Sequence, residues 1–435
     1  MAASLYDILP TSYGGRSAFA RQDIPKGTSV LSCSGPYASV IFWKFRREVC
    51  AMCFAYAFES GKSKWSIKLG EDSKGAGGVW FCSEKCRDAC LREYELFEGQ
   101  GIGWWTQINA AFERLVNQMA KPSKPKTSTK IAPAARLAFL EDISAADVTQ
   151  EFVDKAWMLA EDVSLEESKL GWVEVLTEFE MDTARFVLDG IVRKVAEDVN
   201  PAFPALDRVS SGRDGYCLGA GRWVDMLELQ DNELSLVISK PYILTSRIRI
   251  YRFLRHLATS LSSQRKSTSG SSTPRGGANS TPPLLPFASI TDKLRDCLST
   301  SAEARAIMAR DHGNVFGIWD MTTEDEGSEM LGWGAYVFGS YFNHGESFLD
   351  FGVSRIVNRL FSTDCAPNLK KFRNGRAIQF YSLRDIRAGE ELCISYVDET
   401  NPSVLERARM LGADWFFDCR CARCVQELEA LAIAG

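Results

Sequence analysis

The spacing of apolar positions changes character along the chain. Between residues 96 and 200 they recur at helical intervals. Ser164-Leu165-Glu166-Glu167 has the form of a capping box, and Trp172, Val175, Leu176 and Phe179 follow as the packing stripe of the helix it would open. Residues 197–222 are rich in loop-forming residues. Tyr242 to Leu261 is helical again, with Arg247, Arg249, Arg252 and Arg255 interleaved. That pattern predicts a solvated basic face, an RNA-contacting helix being the sharper alternative. From His312 onward the pattern favours strands: Gly313–Ile318, Gly332–Phe338 and Lys370–Ile378, the last with Asn374-Gly375 as a hairpin signal. Asp385–Tyr396 predicts a turn feeding a strand. Residues 11–41 predict short strands joined at Pro25-Lys26-Gly27, a plain hairpin.

Two stretches interrupt these periods. Lys121–Lys126 is a polar linker, and Ser260–Pro283 is dominated by Ser, Thr, Gly and Pro. The latter cannot bury enough apolar surface to offset its ordering entropy, so a disordered surface loop is expected there. At 435 residues and 45% hydrophobic content, two or three folded units are expected. The net charge of −5 gives no strong nucleic-acid signal and suits basic protein tails as partners. No apolar run is long enough to span a membrane, and the N-terminus has no secretory pattern, so an intracellular location is expected.

Thirteen cysteines add a chemical constraint. Cys50-x2-Cys53 and Cys82-x3-Cys86 have the spacing by which thiolates converge on one tetrahedral Zn²⁺, with Ser83–Leu91 as a short helix carrying the second pair. Cys90 is surplus to a four-ligand site. Near the C-terminus stand Cys419-x-Cys421-x2-Cys424. Cys33, Cys217, Cys297 and Cys393 are expected as ordinary buried thiols.

The most informative stretch is split. Ser340-Tyr341-Phe342-Asn343-His344 is followed by nineteen residues, 345–363, and then by Asp364-Cys365-Ala366-Pro367-Asn368. Joined, the outer pieces closely resemble the Asn-His-Ser-Cys-x-Pro-Asn signature of SET-domain lysine methyltransferases. With Gly15–Ala20, Asp23–Gly27, Gly389-Glu390-Glu391-Leu392-x-Ile394-Ser395-Tyr396 and the cysteine pairs, the chain resembles the SET-and-MYND branch. The resemblance implies an α+β fold, a SET-type β-clip of short sheets interrupted by a MYND-like zinc finger and a mainly helical insertion. The boundaries it implies are 1–48 for the N-terminal SET segment and 49–95 for the finger. The helical insertion takes 96–310 with its loop at 260–283, the catalytic core 311–400 and the post-SET segment 401–435.

The resemblance further implies S-adenosylmethionine as methyl donor, a protein lysine (a histone tail among the options) as acceptor, and a monomer in the nucleus or cytoplasm. Tyr396 matches the catalytic tyrosine. Asn343, His344, Asn314, Arg16 and Phe417 match cofactor-pocket positions. Cys365 would join Cys419, Cys421 and Cys424 on a second zinc, beside the first on Cys50, Cys53, Cys82 and Cys86. The alternative is a catalytically dead adaptor that binds partner peptides through the finger. The chain departs from the family at Ser17, where a glycine is usual, at Asp364, where a serine is usual, and in a finger with five cysteines and no histidine. The long C-terminal helical domain of animal relatives is expected to be missing.

Three readings compete for 345–363: a genuine loop, the mark of a dead enzyme, or translated intron sequence. The third is favoured. Gly345-Glu346-Ser347 can be encoded with a GTGAGT splice donor, Leu360–Asp364 with a pyrimidine-rich tract ending in ACAG before AC, and nineteen codons keep the frame.

Overall fold

The computed structural model describes residues 4–11, 15–69, 78–94, 104–119, 133–170, 174–199, 217–263, 287–320, 329–344, 367–396, 403–415, 419 and 422–434. The insertion 345–363, the linker 121–126, residues 264–283, Cys365, Phe417 and Cys421 lie outside that set.

The chain begins with an antiparallel hairpin of β1 (Tyr6–Pro10) and β2 (Arg16–Ala20), then adds β3 (Ser29–Cys33) and β4 (Ser39–Ile41). A finger follows, made of β5 (Ile67–Lys68), β6 (Trp80–Phe81) and α1 (Glu84–Tyr94). The helical region comprises α2 (Trp104–Met119), α3 (Gln150–Leu170), α4 (Glu178–Val199), strand β7 (Cys217–Leu218), α5 (Trp223–Leu227), α6 (Glu233–Ser239), α7 (Tyr242–Ser263), α8 (Phe287–Cys297) and α9 (Ala302–Asp311). The strands β8 (Val315–Trp319), β9 (Met330–Ala335), β10 (Leu369–Asn374) and β11 (Ala377–Ser382) precede the terminal helices α10 (Val404–Trp415) and α11 (Ala422–Ala434).

Two sheets depend on both ends of the chain. One has the order β10-β11-β3-β7 and the other β4-β9-β8. Residues before 42 therefore complete sheets whose main strands come after 314, with the finger and helices between. The sheets enclose an apolar core of Val30, Leu31, Phe342, Phe380, Leu392 and Ile394. A second core is helical, and α7 packs there against α2, α3, α4 and α8. Gly190 on α4 allows close approach of α9, since a Cβ there would lie 2.8 Å from Ile307 Cδ1.

Several expectations are corrected. Pro25–Thr28 does form a turn, with Thr28 N–H on the Pro25 carbonyl, but β2 and β3 do not pair as a hairpin. β2 pairs with β1, and β3 with β11 and β7. Ser164 is not an N-cap. It lies inside α3 and its hydroxyl donates to the Ala160 carbonyl at 2.6 Å, one turn back. The start of α3 is marked by Thr149, whose Oγ1 accepts from Phe152 N. The stripe Val175–Phe179 is not one helical face: residues 174–177 precede α4, and Val175 and Phe179 are exposed. Ser260–Ser263 belong to α7, not to the low-complexity loop.

The arginines of α7 form neither a solvated face nor an array of free cations. Arg247 pairs with Asp311 at 2.9 Å, and buried Arg252 with Glu167 and with Glu174 at 2.7 Å. Arg249 reaches Glu174 and Glu180 at 3.5 and 3.4 Å, and Arg255 donates to the Glu161 carbonyl and the Tyr251 hydroxyl. A guanidinium enters an apolar core only with compensating acceptors, and helices α3, α4 and α9 supply most of them.

At the β10–β11 hairpin the two-residue turn is Gly375-Arg376, with Gly375 at φ +61° and Asn374 still paired to Ala377. Arg376 then reaches Glu93 of α1 at 2.6 Å, and Glu93 lies 3.6 Å from Arg193 of α4. One carboxylate thus joins finger, helical region and sheet. Among the described residues, no helix is long and apolar enough to cross a membrane.

Candidate functional site

The site begins with a short 3-10 turn, Gly339–Tyr341. Gly339 lets the turn approach the sheet core, since a Cβ there would meet the Phe380 ring at 2.9 Å. Phe342 follows, fully buried against Phe380 and Tyr6 at ring distances of 4.7 and 5.5 Å. This anchor fixes Asn343 and His344. The Asn343 carbonyl accepts from Ile394 N at 3.0 Å, and His344 pairs with Ile394 in a parallel bridge.

The other half of the split motif holds the same segment from its opposite side. The Asn368 amide donates to the Glu391 carbonyl at 2.7 Å and its Oδ1 accepts from Cys393 N at 2.8 Å. Leu369 N donates to the Cys393 carbonyl at 3.0 Å. Residues 391–394 are therefore clamped between Asn343-His344 and Asn368-Leu369.

Tyr396 emerges from this clamp. Its backbone N–H donates to His344 Nδ1 at 3.2 Å, which leaves the proton of a neutral imidazole on Nε2. Its hydroxyl donates to the Phe342 carbonyl at 3.3 Å. The ring lies 5.6 Å from His344 and 5.3 Å from Trp415. Burial pushes its phenol above the ordinary range, with Cys393 and Glu391 adding to the effect, so the hydroxyl stays a donor at neutral pH.

Arg16 and Asn343 are also brought together, since the Asn343 amide donates to the Arg16 carbonyl at 3.2 Å. The Arg16 guanidinium lies over the Tyr341 ring at 5.4 Å and pairs with Glu228 at 2.8 Å, both charges exposed. Ser17 is fully buried, and its hydroxyl donates to the Tyr341 carbonyl at 3.3 Å. The departure from glycine is thus absorbed by a bond to the motif turn. Asn314 spends its amide on the carbonyls of Gln230 and Arg310, both at 3.0 Å, while its own carbonyl accepts from Ser340 Oγ. Arg16, Glu228, Tyr341 and Asn343 gather one cation, one carboxylate, one aromatic face and one amide, group types that a zwitterionic amino acid joined to a flat base would use, although here the two charges pair with each other and the amide is bonded to the Arg16 carbonyl. Glu228 and Trp415 carry no motif and escape inspection of the sequence; for Trp415 the aromatic run Trp415-Phe416-Phe417 was the available signal.

The metal ligands expected in the finger also converge. The sulfurs of Cys50, Cys53, Cys82 and Cys86 all lie within 4.8 Å of one another, and Cys53–Cys82 and Cys82–Cys86 are 3.6 and 3.4 Å apart. A tetrahedron with Zn–S bonds of about 2.3 Å has sulfur edges of roughly 3.8 Å, so the set fits zinc. Hydrogen bonds, first from the Cys53 side chain, hold the Cys50 thiol below the ordinary thiol range despite its burial. The Ser83 hydroxyl accepts from Cys86 N and shapes the helix start that presents the second pair. Cys90 is buried outside this cluster. Of the second expected set, Cys419 and Cys424 share one small core with Val404 and Leu411, against which Tyr396 and Trp415 pack.

Tyr396, Ile394, Ser340 and Trp415 line a cavity of about 1490 Å³ between the sheets and the helical region.

The SET domain family model matches residues 137–397, more than half of the chain. A potential protein lysine methyltransferase, SET6 of Saccharomyces cerevisiae, is 25% identical over 439 residues, covering 98% of this chain and 96% of that protein. A SET and MYND domain-containing protein of Dictyostelium discoideum is 30% identical over 133 residues, 31% of this chain and 28% of its own length. The SET domain and MYND-type zinc finger protein 6 of Schizosaccharomyces pombe is 38% identical over 60 residues, 14% of this chain and 12% of its own. The split motif closes on residues 391–394 within the matched region, and the chain belongs to the SET domain family.

Proposed function

We propose that the chain is an S-adenosylmethionine-dependent protein-lysine N-methyltransferase of the SET-and-MYND type. The observation that carries this reading is the convergence of Asn343, His344 and Tyr396 on the clamped segment 391–396, with Tyr396 itself lining a large cavity. When bound, S-adenosylmethionine supplies a methyl group already activated by a sulfonium. Arg16 and Glu228 would hold the charged amino-acid end, with Tyr341 and Asn343 beside them, and His344 and Phe417 would complete the pocket. Asn314 supports it indirectly, through Ser340 and the motif turn. The Tyr396 hydroxyl, kept protonated by burial, orients the acceptor. The aromatic surroundings of Tyr396, Trp415 and Phe316 disfavour an ammonium and so favour the neutral, nucleophilic lysine amine.

Under this reading Cys50, Cys53, Cys82 and Cys86 hold a structural zinc, and Cys365, Cys419, Cys421 and Cys424 a second that closes the terminal helices over the site. Thiolate sites of this kind suit a reducing, intracellular setting, nuclear or cytoplasmic. The chain acts as a monomer on protein lysines, histone tails among them, and the finger offers a surface for partner peptides.

The test is transfer of labelled methyl from S-adenosylmethionine to histones or lysate protein. Tyr396→Phe should lose about 10²-fold in kcat/KM while keeping its circular dichroism spectrum, because misplacing the acceptor costs on that order. Equal activity in the variant would refute the role of Tyr396. No transfer and no calorimetric cofactor binding by the wild type would leave a SET scaffold acting as an adaptor.

A further inference from the structure

Strand β8 runs along the cavity that Tyr396 lines. Val315, Phe316, Gly317 and Trp319 all contribute to its wall. At the start of the strand, Ser340 Oγ donates to the Asn314 carbonyl at 2.9 Å and ties β8 to the motif turn. Four residues beyond Val315, about 13 Å along an extended chain, stands Trp319, 44% exposed. The helical region brings two more open aromatic rings to the same cavity, Phe179 from α4 and Tyr242 from α7, which are 61% and 67% exposed. Phe179 lies 5.8 Å from the ring of Trp333 on β9, next to β8 in the sheet.

The charges around this surface largely cancel. Arg247 is matched by Asp311, and Arg249 by Glu174 and Glu180. The remaining charged groups of the lining, Glu141 and Asp142 against Lys240 and Lys371, balance in number. No excess charge is left to select a strongly basic or acidic segment, whereas the exposed aromatic area can select an apolar one.

We infer that Phe179, Tyr242 and Trp319 form a specificity site for a bulky apolar side chain of the protein substrate, three to four residues from the target lysine. This rests on the methyltransferase reading for the identity of the occupant. Its physical basis is the continuity of the aromatic surface with Tyr396 through β8.

The test uses the full chain and nine-residue peptides with a central lysine in a Gly/Ser host, carrying Leu, Phe or Trp singly at each flanking position. Binding is read by fluorescence anisotropy and transfer by labelled S-adenosylmethionine. An apolar residue at the third or fourth position on one side of the lysine should tighten Kd about tenfold over the parent peptide, the effect of one well-buried side chain. Phe179→Ala and Tyr242→Ala, at exposed positions, should erase that preference and leave the parent peptide's turnover unchanged. Equal ranking of peptides by wild type and variants, or no peptide binding better than the parent, overturns the inference. A dimer in sedimentation that Phe179→Ala disperses would assign the surface to a second copy and also overturn it. Preferential binding without transfer would refute the methyltransferase reading and keep the docking site, whereas transfer without preference would do the reverse.

Discussion

Asp182 accepts the Trp43 N–H at 2.8 Å from a buried position on α4. Burial pushes its carboxyl up to about 6, against the hydrogen bond from Trp43 and the charge of Arg185, which both lower it. A carboxyl raised on folding stabilises the native state below its unfolded value, near 4, and that contribution is lost as pH rises through 6. Asp182→Asn retains the acceptor and removes the titration. The difference in stability between variant and wild type should be small at pH 4 and favour the variant at pH 7, on the order of 2 kcal/mol. Calorimetric unfolding of both proteins across that range measures it, and a constant difference contradicts the assignment. Asn343 and His344 are legible in the sequence because their motif can be recognised on either side of an interruption. Glu228 is not, since it meets Arg16 across 212 residues and belongs to a helical region without a motif. Ser164 misleads because Ser-x-x-Glu is equally compatible with the inside of a helix, where the hydroxyl turns back to a carbonyl.

At the scale of elements, the finger is more than an appendage. Its helix α1 carries Glu93, whose carboxyl burial would raise but Arg376 and Arg193 hold below the usual range. With zinc on these four thiols, as proposed, losing it would release the start of α1, including Cys86, and loosen the carboxylate that joins the β10–β11 turn to α4. Cys82→Ser should therefore bind one zinc fewer by elemental analysis, and hydrogen exchange should accelerate in α4 and the β10–β11 turn as well as in α1. Faster exchange confined to α1 would show the finger to be energetically separate. The convergence of the paired cysteines could be read from spacing, because thiols at such short separations are brought together by local structure. The basic stripe of α7 could not. Its partners Glu167, Glu174 and Asp311 lie 64 to 85 residues away, and only packing reveals that the arginines point into acidic company.

At the scale of the whole molecule, the clamp on residues 391–394 bears on the interruption in the motif. His344 lies beside Ile394 and Leu369 beside Cys393, on opposite sides of one extended segment. Two strand spacings place such ends roughly 10 Å apart. If residues 345–363 are deleted, Asp364 to Asn368 still follow His344 directly, and five peptide units can span up to about 18 Å. The shorter connection reaches without strain, and closing the longer one costs more entropy by a margin that grows only slowly with length. The deletion protein should unfold at a temperature equal to or above that of the full chain and should bind S-adenosylmethionine at least as tightly. Thermal unfolding and calorimetry decide this. A drop of many degrees would mean that the fold needs residues 345–363 and would count against their being translated intron sequence. The same proposal predicts transcripts that lack these 57 nucleotides, so a cDNA population that retains them throughout would refute it even if the shortened protein folds.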